Sequence, residues 1–461
     1  MRLPPRVNNP VSFTGMAIAT TMAVLFFVLL LLEAVGAITN PYIGLVMYVT
    51  VPLLFVIGLL VIPIGTWQAA RRRRLRPGGP DWPTIDFNNP RQRTLAVIIL
   101  MLTVVNILIV SLAAYGGVHY MDSSEFCGEV CHTTMEPEYK SYQVWPHARV
   151  ECAQCHVGPG AKALIQAKLA GTRQLFHVIT GQVPKPVPPP PELIRPATYT
   201  CERCHWPEKF HGDKPKVIRE YSNDEQNSES MTRLTLHIGG GSASAGNGSG
   251  IHWHMNLDNV VEFAEGKGAG DKGAGGEGAG DGTIPYVRVT DRQGRVREFV
   301  ANGKAASEFS TKPLHRMDCM DCHNRPAHTM FFTAERAIDT GIAQGRIPRE
   351  LPFVRREAVA AVKTDYANHD AAMTGIEKHL RDFYAQQSGA DAQAVARAVT
   401  GAQQLWGENV FPAMKVTWGT YPSNIGHVDT PGCFRCHDDE HKAADGVVIK
   451  QDCELCHTAP E

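Results

Sequence analysis

CAQCH, at residues 152–156, decides the fold, because its pattern returns as CERCH (201–205), CMDCH (319–323), CFRCH (433–437) and CELCH (453–457). A looser copy, CGEVCH at 127–132, opens the series with three residues rather than two between its cysteines. Together the six copies use all twelve cysteines of the chain. Cys-x-x-Cys-His is the attachment pattern of c-type haem: two thiols add across the vinyl groups of the porphyrin, and the next residue turns its imidazole under the iron. A single Cys-x-x-Cys suits a zinc knuckle or a dithiol redox pair as well, but neither calls for a histidine after every second cysteine. A disulfide framework fails too, since cysteines this close in sequence close only tiny loops.

The pattern assigns six covalently bound haem c groups, attached through Cys127 and Cys131, Cys152 and Cys155, Cys201 and Cys204, Cys319 and Cys322, Cys433 and Cys436, and Cys453 and Cys456. Their proximal iron ligands are His132, His156, His205, His323, His437 and His457. A low-spin electron-transfer haem takes a second axial ligand, usually His or Met. The distal candidates are Met135, His147, His177, His211, His328, His427 and His441, drawn from a wider set that includes His237, His252, His254 and His315. His147 and His211 each lie near a motif whose own histidine is committed, and His427 and His441 flank GCFRCH and are expected to serve the last two haems. His369 and His379, in a polar helical stretch without nearby cysteines, read as solvated.

Three apolar runs precede the first motif, at about 13–32, 42–64 and 95–114. Each is long enough to cross a hydrocarbon core of ~30 Å, and the first exceeds the apolar stretch of a signal peptide. Pro52 and Pro63 in the second run are tolerable in a membrane helix and can kink it. RRRRLRPGG from Arg71, inside the loop 68–93, contrasts with a loop 33–41 free of Lys and Arg. Positive-inside bias puts that arginine loop and the N-terminus in the cytoplasm of a bacterium and everything after the third span in the periplasm, the side on which haem is attached. A net charge of −1 gives no footing for nucleic acid.

The expected organisation is a three-helix membrane anchor (1–117), a module with haems 1 and 2 (118–182), a middle region with haems 3 and 4 (183–330) and a C-terminal region with haems 5 and 6 (331–461). VPKPVPPPPELIRP (183–196) reads as a stiff connector, and the glycine-rich run 265–282 as a flexible loop. IPYVRVTDRQGRVREFV predicts a β-hairpin turning at Asp291–Gly294, and 333–347 and 353–407 predict helices packed around haems. The fold class is a membrane-anchored multihaem cytochrome c: three transmembrane helices, then a haem-packed, mostly α-helical and irregular periplasmic domain with a small β-hairpin region.

Residues 127–181, from CGEVCHTTMEPEYKSYQVWPHARVECAQCH to TRQLFHVITG, resemble the N-terminal module of the NapC/NirT family of membrane-anchored quinol dehydrogenases. The three spans, CERCHWPEKFHGD and GHVDTPGCFRCHDDEH are more similar to the larger inner-membrane cytochromes of metal-reducing bacteria, the ImcH type. The resemblance implies oxidation of menaquinol at the membrane face of the first haem, with electrons passed along the haems to periplasmic cytochromes or other redox proteins. It also implies Lys168 as the residue that handles the quinol proton, with Lys162 in reserve. The family's acidic partner seven residues beyond that lysine is absent: Leu175 holds the place, and no Asp or Glu occurs between Val157 and Pro191. Relatives carry Cys-x-x-Cys-His-x-Met at the first haem. Here the wider cysteine spacing and the shift of Met135 by one residue either reposition His132 and Met135 or are absorbed as a bulge. Beside the quinol dehydrogenase stands a second expectation: a haem wire inside a larger complex with other membrane subunits and no quinone site of its own. The same pathway run in reverse, reducing quinone, is a third.

Overall fold

The computed structural model describes residues 9–35, 43, 46–74, 87–130, 132–158, 160–188, 196–241, 248–266 and 282–458. Cys131, the His132 side chain, most of the glycine-rich run (267–281), residues 75–86 of the arginine-rich loop and 189–195 of the proline-rich connector lie outside the described residues. The chain divides into two compact units, 1–131 and 132–461.

The first unit is built of α1 (Pro10–Ala34), α2 (Val51–Arg74, continuing a π-turn at Val46–Thr50) and α3 (Pro90–Asp122). Three stretches within them, Pro10–Glu33, Val46–Arg71 and Pro90–Asp122, are long and apolar enough to cross a membrane. Helices α1 and α2 run antiparallel in close contact: a Cβ on Gly15 would meet the Gly58 carbonyl oxygen at 2.8 Å, so small residues let the two backbones touch. Pro52 is the second residue of α2. Pro63 is interior, and near it Ser12 Oγ donates to Ile62 O at 3.1 Å and Thr66 Oγ1 to Pro63 O at 2.8 Å. Phe26, Met47, Val51, Phe55, Ile109 and Ala113 fill the centre.

The second unit has four parts, the last of them a bundle of helices. Helices α4 (His132–Gln143) and α5 (Ala161–Ile179) lead into the motif turns. Strands β1 (Asp213–Tyr221) and β2 (Glu229–His237) form a separate antiparallel ribbon. A five-stranded sheet has the order β6 (His315–Arg316), β3 (Val260–Ala264), β4 (Tyr286–Thr290), β5 (Val296–Val300), β7 (Lys442–Ala443). The predicted hairpin is the β4–β5 pair, with Asp291 Oδ1 accepting from the backbone of Gln293 and Arg295 in its turn. The rest of the β-structure was not expected. β1 is exposed along nearly its whole length, and β6 and β7 are two residues long, so none shows an alternating apolar face.

The helical stretch corrects a second expectation. Helices α6 (Ala334–Ala343), α7 (Val354–Lys363), α8 (His369–Ala385) and α9 (Ala392–Asn409) bury their apolar faces against one another, around Ile338, Ile376, Leu380, Leu405 and a Trp406 that is 1% exposed. No motif residue belongs to that core. Amphipathic spacing made these segments helices, and helix packing, not haem, fills the space between them. The β1–β2 ribbon ties this bundle to the last motif. At its tip Asn227, fully buried, donates to the carbonyls of Arg349 (2.9 Å) and Leu351 (2.8 Å) and accepts from Arg355 N (3.0 Å). At its root His237 N donates to Cys456 O at 2.8 Å, and Thr458 N to Thr235 O at 3.0 Å.

Candidate functional site

Each regular motif winds into about one turn of helix. The histidine N–H closes the turn on the carbonyl of the first cysteine, at 2.8 Å for His205 and His323 and 3.1 Å for His437 and His457. That bond sets both sulfurs and the imidazole against one small volume. Asp318 and Asp452 cap two of the turns, accepting from Met320 N at 2.7 Å and Glu454 N at 3.0 Å. The wider first motif differs: Phe126–Val130 winds as a π-turn, the helix that takes in an extra residue.

Opposite each regular motif histidine lies a second imidazole. The ring centres of His328 and His156 are 6.2 Å apart, those of His147 and His205 6.2 Å, His252 and His323 6.5 Å, His254 and His437 5.8 Å, and His427 and His457 6.2 Å. Two imidazoles bonded at about 2 Å to opposite faces of one metal hold their ring centres about 6 Å apart. Five pairs thus have the spacing that a six-coordinate haem iron needs. Among the described residues, no group of three or more His, Cys, Asp or Glu side chains is arranged to hold a metal ion by itself.

The other ring nitrogen is occupied in a consistent way. Nδ1 faces a backbone carbonyl in His147 (Pro326, 3.0 Å), His252 (Ile238, 2.5 Å), His254 (Ile251, 2.9 Å) and His328 (Glu138, 3.0 Å), and likewise in His437 (Lys450, 2.9 Å) and His457 (Thr458, 2.7 Å). A carbonyl can only accept, so Nδ1 carries the hydrogen and Nε2 keeps its lone pair for a metal. Burial lowers the pKa of His156, His254, His323 and His328, keeping these rings neutral, as ligation requires.

The motifs also follow one another in space in their sequence order. Burial pushes the Cys155 thiol up, and Cys201 beside it adds to the shift. Ala197 N, four residues before the third motif, donates to Asp318 Oδ2 at the start of the fourth at 3.0 Å. Burial and then Cys433 push Cys322 up to about 11, and burial and then Cys433 also raise Cys456. Motifs two to six therefore form a continuous chain of neighbours.

Not every expected ligand joins a pair. His441 is used otherwise: it is 2% exposed, with Nδ1 on the Asp438 carboxylate at 2.9 Å and Nε2 on the Ile284 carbonyl at 2.6 Å, so neither nitrogen is turned to an iron. The place opposite His437 belongs to His254. His211 is exposed and outside the pairs, and His177 has a buried Nδ1 with no hydrogen-bond partner among the described residues. His237 and His315 pair with Asp213 and Asp321. Met135 is half-buried on α4. His252 and His254, absent from the short list, were findable only as members of GIHWHMN, where two histidines share one turn.

Lys162 is exposed and Lys168 half-buried on α5. Ile165, Leu169, Phe176 and Ile179 on the same helix are 60–74% exposed, an apolar stripe at helical spacing left in the open.

Residues 89–186 match the NapC/NirT cytochrome c family, N-terminal region. The chain is similar to the cytochrome c-type protein ImcH of Geobacter sulfurreducens, 38% identical over 457 residues that cover 97% of this chain and 87% of that protein. No solved structure matches the chain.

Proposed function

The chain belongs to the NapC/NirT cytochrome c family, and from that membership we propose that it is a menaquinol dehydrogenase of the bacterial inner membrane, passing electrons through six haems to periplasmic redox proteins. Membership itself brings covalently bound haem c and electron transfer. The observation that carries the finer reading is the junction of membrane helix and first motif. Cys127 follows the end of α3 by about one turn, its N–H bonded to Ser123 O at 3.3 Å. A haem attached there lies at the membrane surface, within electron-transfer reach of a quinol headgroup.

The residues fit the cofactor. The cysteine pairs hold it covalently. The facing imidazoles support His328 as the distal ligand of the second haem, His147 of the third, His252 of the fourth, His254 of the fifth and His427 of the sixth. His132 and Met135 remain the ligands considered for the first. The haems supply one-electron carriers, and the carbonyls on Nδ1 orient the rings and make Nε2 more basic, which favours the oxidised iron. Helix α5, with its open apolar stripe, Lys162, Lys168 and Arg173 and no acid, has the composition of a helix lying at an anionic lipid surface. The arginine run from Arg71 supports a cytoplasmic N-terminus and a periplasmic haem domain.

The missing acid between Val157 and Pro191 favours a second reading, a haem wire that serves another subunit's quinone site. Reduction of the purified chain by a menaquinol analogue separates the two. We expect six haems per chain by pyridine haemochrome and quinol-driven reduction of all of them. Lys168→Gln should keep the haems and their reduction by dithionite while losing at least about tenfold in quinol-driven rate, about 1.4 kcal/mol in the barrier. Rates within about twofold of the parent exclude Lys168 from proton handling. A parent chain that quinol does not reduce is the wire.

A further inference from the structure

Among the described residues of the membrane unit stands a polar contact that packing does not call for. Glu33 stands in the last turn of α1, at the end of an otherwise apolar span, and the Tyr48 hydroxyl donates to its Oε2 at 2.5 Å. A carboxylate at a helix C-terminus faces the negative end of the macrodipole, so it does not stabilise α1. An ionisable group in a membrane segment is rare where it has no task. Its partner is held in place by α3. A Cβ on Gly116 would lie 2.4 Å from the Tyr48 ring and one on Gly117 3.2 Å from its carbonyl oxygen, so two consecutive glycines form the notch that seats this tyrosine. From there aromatic contacts lead to the first motif: Tyr48 is 6.0 Å from Tyr120, and Tyr120 meets Phe126 edge-on at 5.3 Å. Phe126 immediately precedes Cys127. The Glu33 side chain is exposed, so a molecule dissolved in the bilayer can reach it.

We infer that Glu33 accepts the proton of a quinol headgroup and that Tyr48 is its positioning residue, at the end of the membrane unit where the first haem attaches. The inference rests on the quinol-oxidising reading. In each half of the reaction a quinol O–H bond breaks, the proton bonds to a Glu33 carboxylate oxygen, and one electron passes to a ferric c-type haem. Glu33 releases its proton to outside water before the second half. The sum is one quinol and two ferric equivalents giving one quinone, two ferrous equivalents and two protons. Tyr48 takes up one carboxylate oxygen as its acceptor and leaves the other for the substrate.

The test uses the full haem-loaded chain in phospholipid vesicles, with menadiol as reductant. Failure of menadiol to reduce the parent overturns this assignment and the quinol reading together. With a reducible parent, Glu33→Gln keeps an acceptor for Tyr48 and is expected to retain the dithionite-reduced spectrum. It should lower the menadiol-driven rate at least about tenfold and flatten its rise with pH, with Tyr48→Phe lowering the rate by about threefold. Binding of an alkyl-hydroxyquinoline N-oxide, followed by fluorescence quenching, should weaken in both variants. Parental rate and pH profile in Glu33→Gln overturn the assignment and leave quinol oxidation standing, as does unchanged inhibitor affinity in both variants. Should Glu33→Gln fail to assemble, Tyr48→Phe decides: a lower rate with weaker inhibitor binding supports the assignment, and parental values overturn it.

Discussion

Residues 334–410 and the stretches that carry the Cys-x-x-Cys-His motifs belong to one unit but are held in different ways. In the first, four helices bury Ile338, Ile376, Leu380, Leu405 and Trp406 completely or nearly so. In the second, the backbone is a succession of single turns at 201–203, 432–435 and 453–455, and the motif cysteines and histidines are half-buried or exposed. A core of side chains suffices for the helices. The motif stretches have almost no apolar core of their own, so the haems must provide most of the surface that they bury.

The comparison can be broken most directly by making the chain without haem attachment. The motif stretches should then be digested within minutes by a protease that leaves 334–410 largely intact, as mass spectrometry of the fragments would read. Equal loss of both would mean that the helices also depend on the cofactor. Trp406→Ala works from the other side: a cavity at a fully buried aromatic costs about 3–5 kcal/mol. It should lower the midpoint of denaturant unfolding while leaving the haem absorption spectrum of the folded chain unchanged.

A sharper version sets two histidines against each other. His254→Ala should turn one low-spin haem high-spin by electron paramagnetic resonance, whereas His441→Ala, which breaks a link between loop and sheet, should produce no such signal. The smallest effect concerns His315, which Asp321 holds above the usual imidazole value by hydrogen bonding. Its contribution to stability is fully present below the unfolded pKa of about 6.5 and is lost as pH rises through the raised folded value. The pair is half-exposed, so between about pH 6 and pH 8 the parent should lose only about one degree of melting temperature relative to His315→Gln.

What the sequence shows clearly is what lies within a few residues of itself. A cysteine, two spacers, a cysteine and a histidine are complete chemistry, the spans are runs of apolar residues, and Asp291 to Gly294 marks its own turn. The histidine pairs are not local: His328, just beyond the fourth motif, faces His156 of the second. His252 and His254 reach their places because the chain folds back after β2, with His252 N bonded to Gly239 O at 2.8 Å and Gly240 too close to Trp253 for any side chain. His441 carried a readable warning in Asp438, three residues earlier, which takes both its N–H and its ring nitrogen. The four-helix core was half legible. Asn368 and Asp391 cap α8 and α9 and break the long helical stretch where the sequence says it should break, but nothing in amphipathic spacing says whether a helix face meets another helix or a haem.

The β1–β2 ribbon has a mechanical meaning. Nine residues per strand at about 3.3 Å each make a bar of roughly 30 Å, pinned at one end by Asn227 inside the bundle and at the other by the bonds of His237 to Cys456 and of Thr235 to Thr458. A two-stranded ribbon resists stretching far better than bending, so it works as a tie rod. A pull on the bundle, a molecule gripping its surface, or its partial melting reaches the last motif as displacement. The helical part of the unit can therefore set the position of the last Cys-x-x-Cys-His turn.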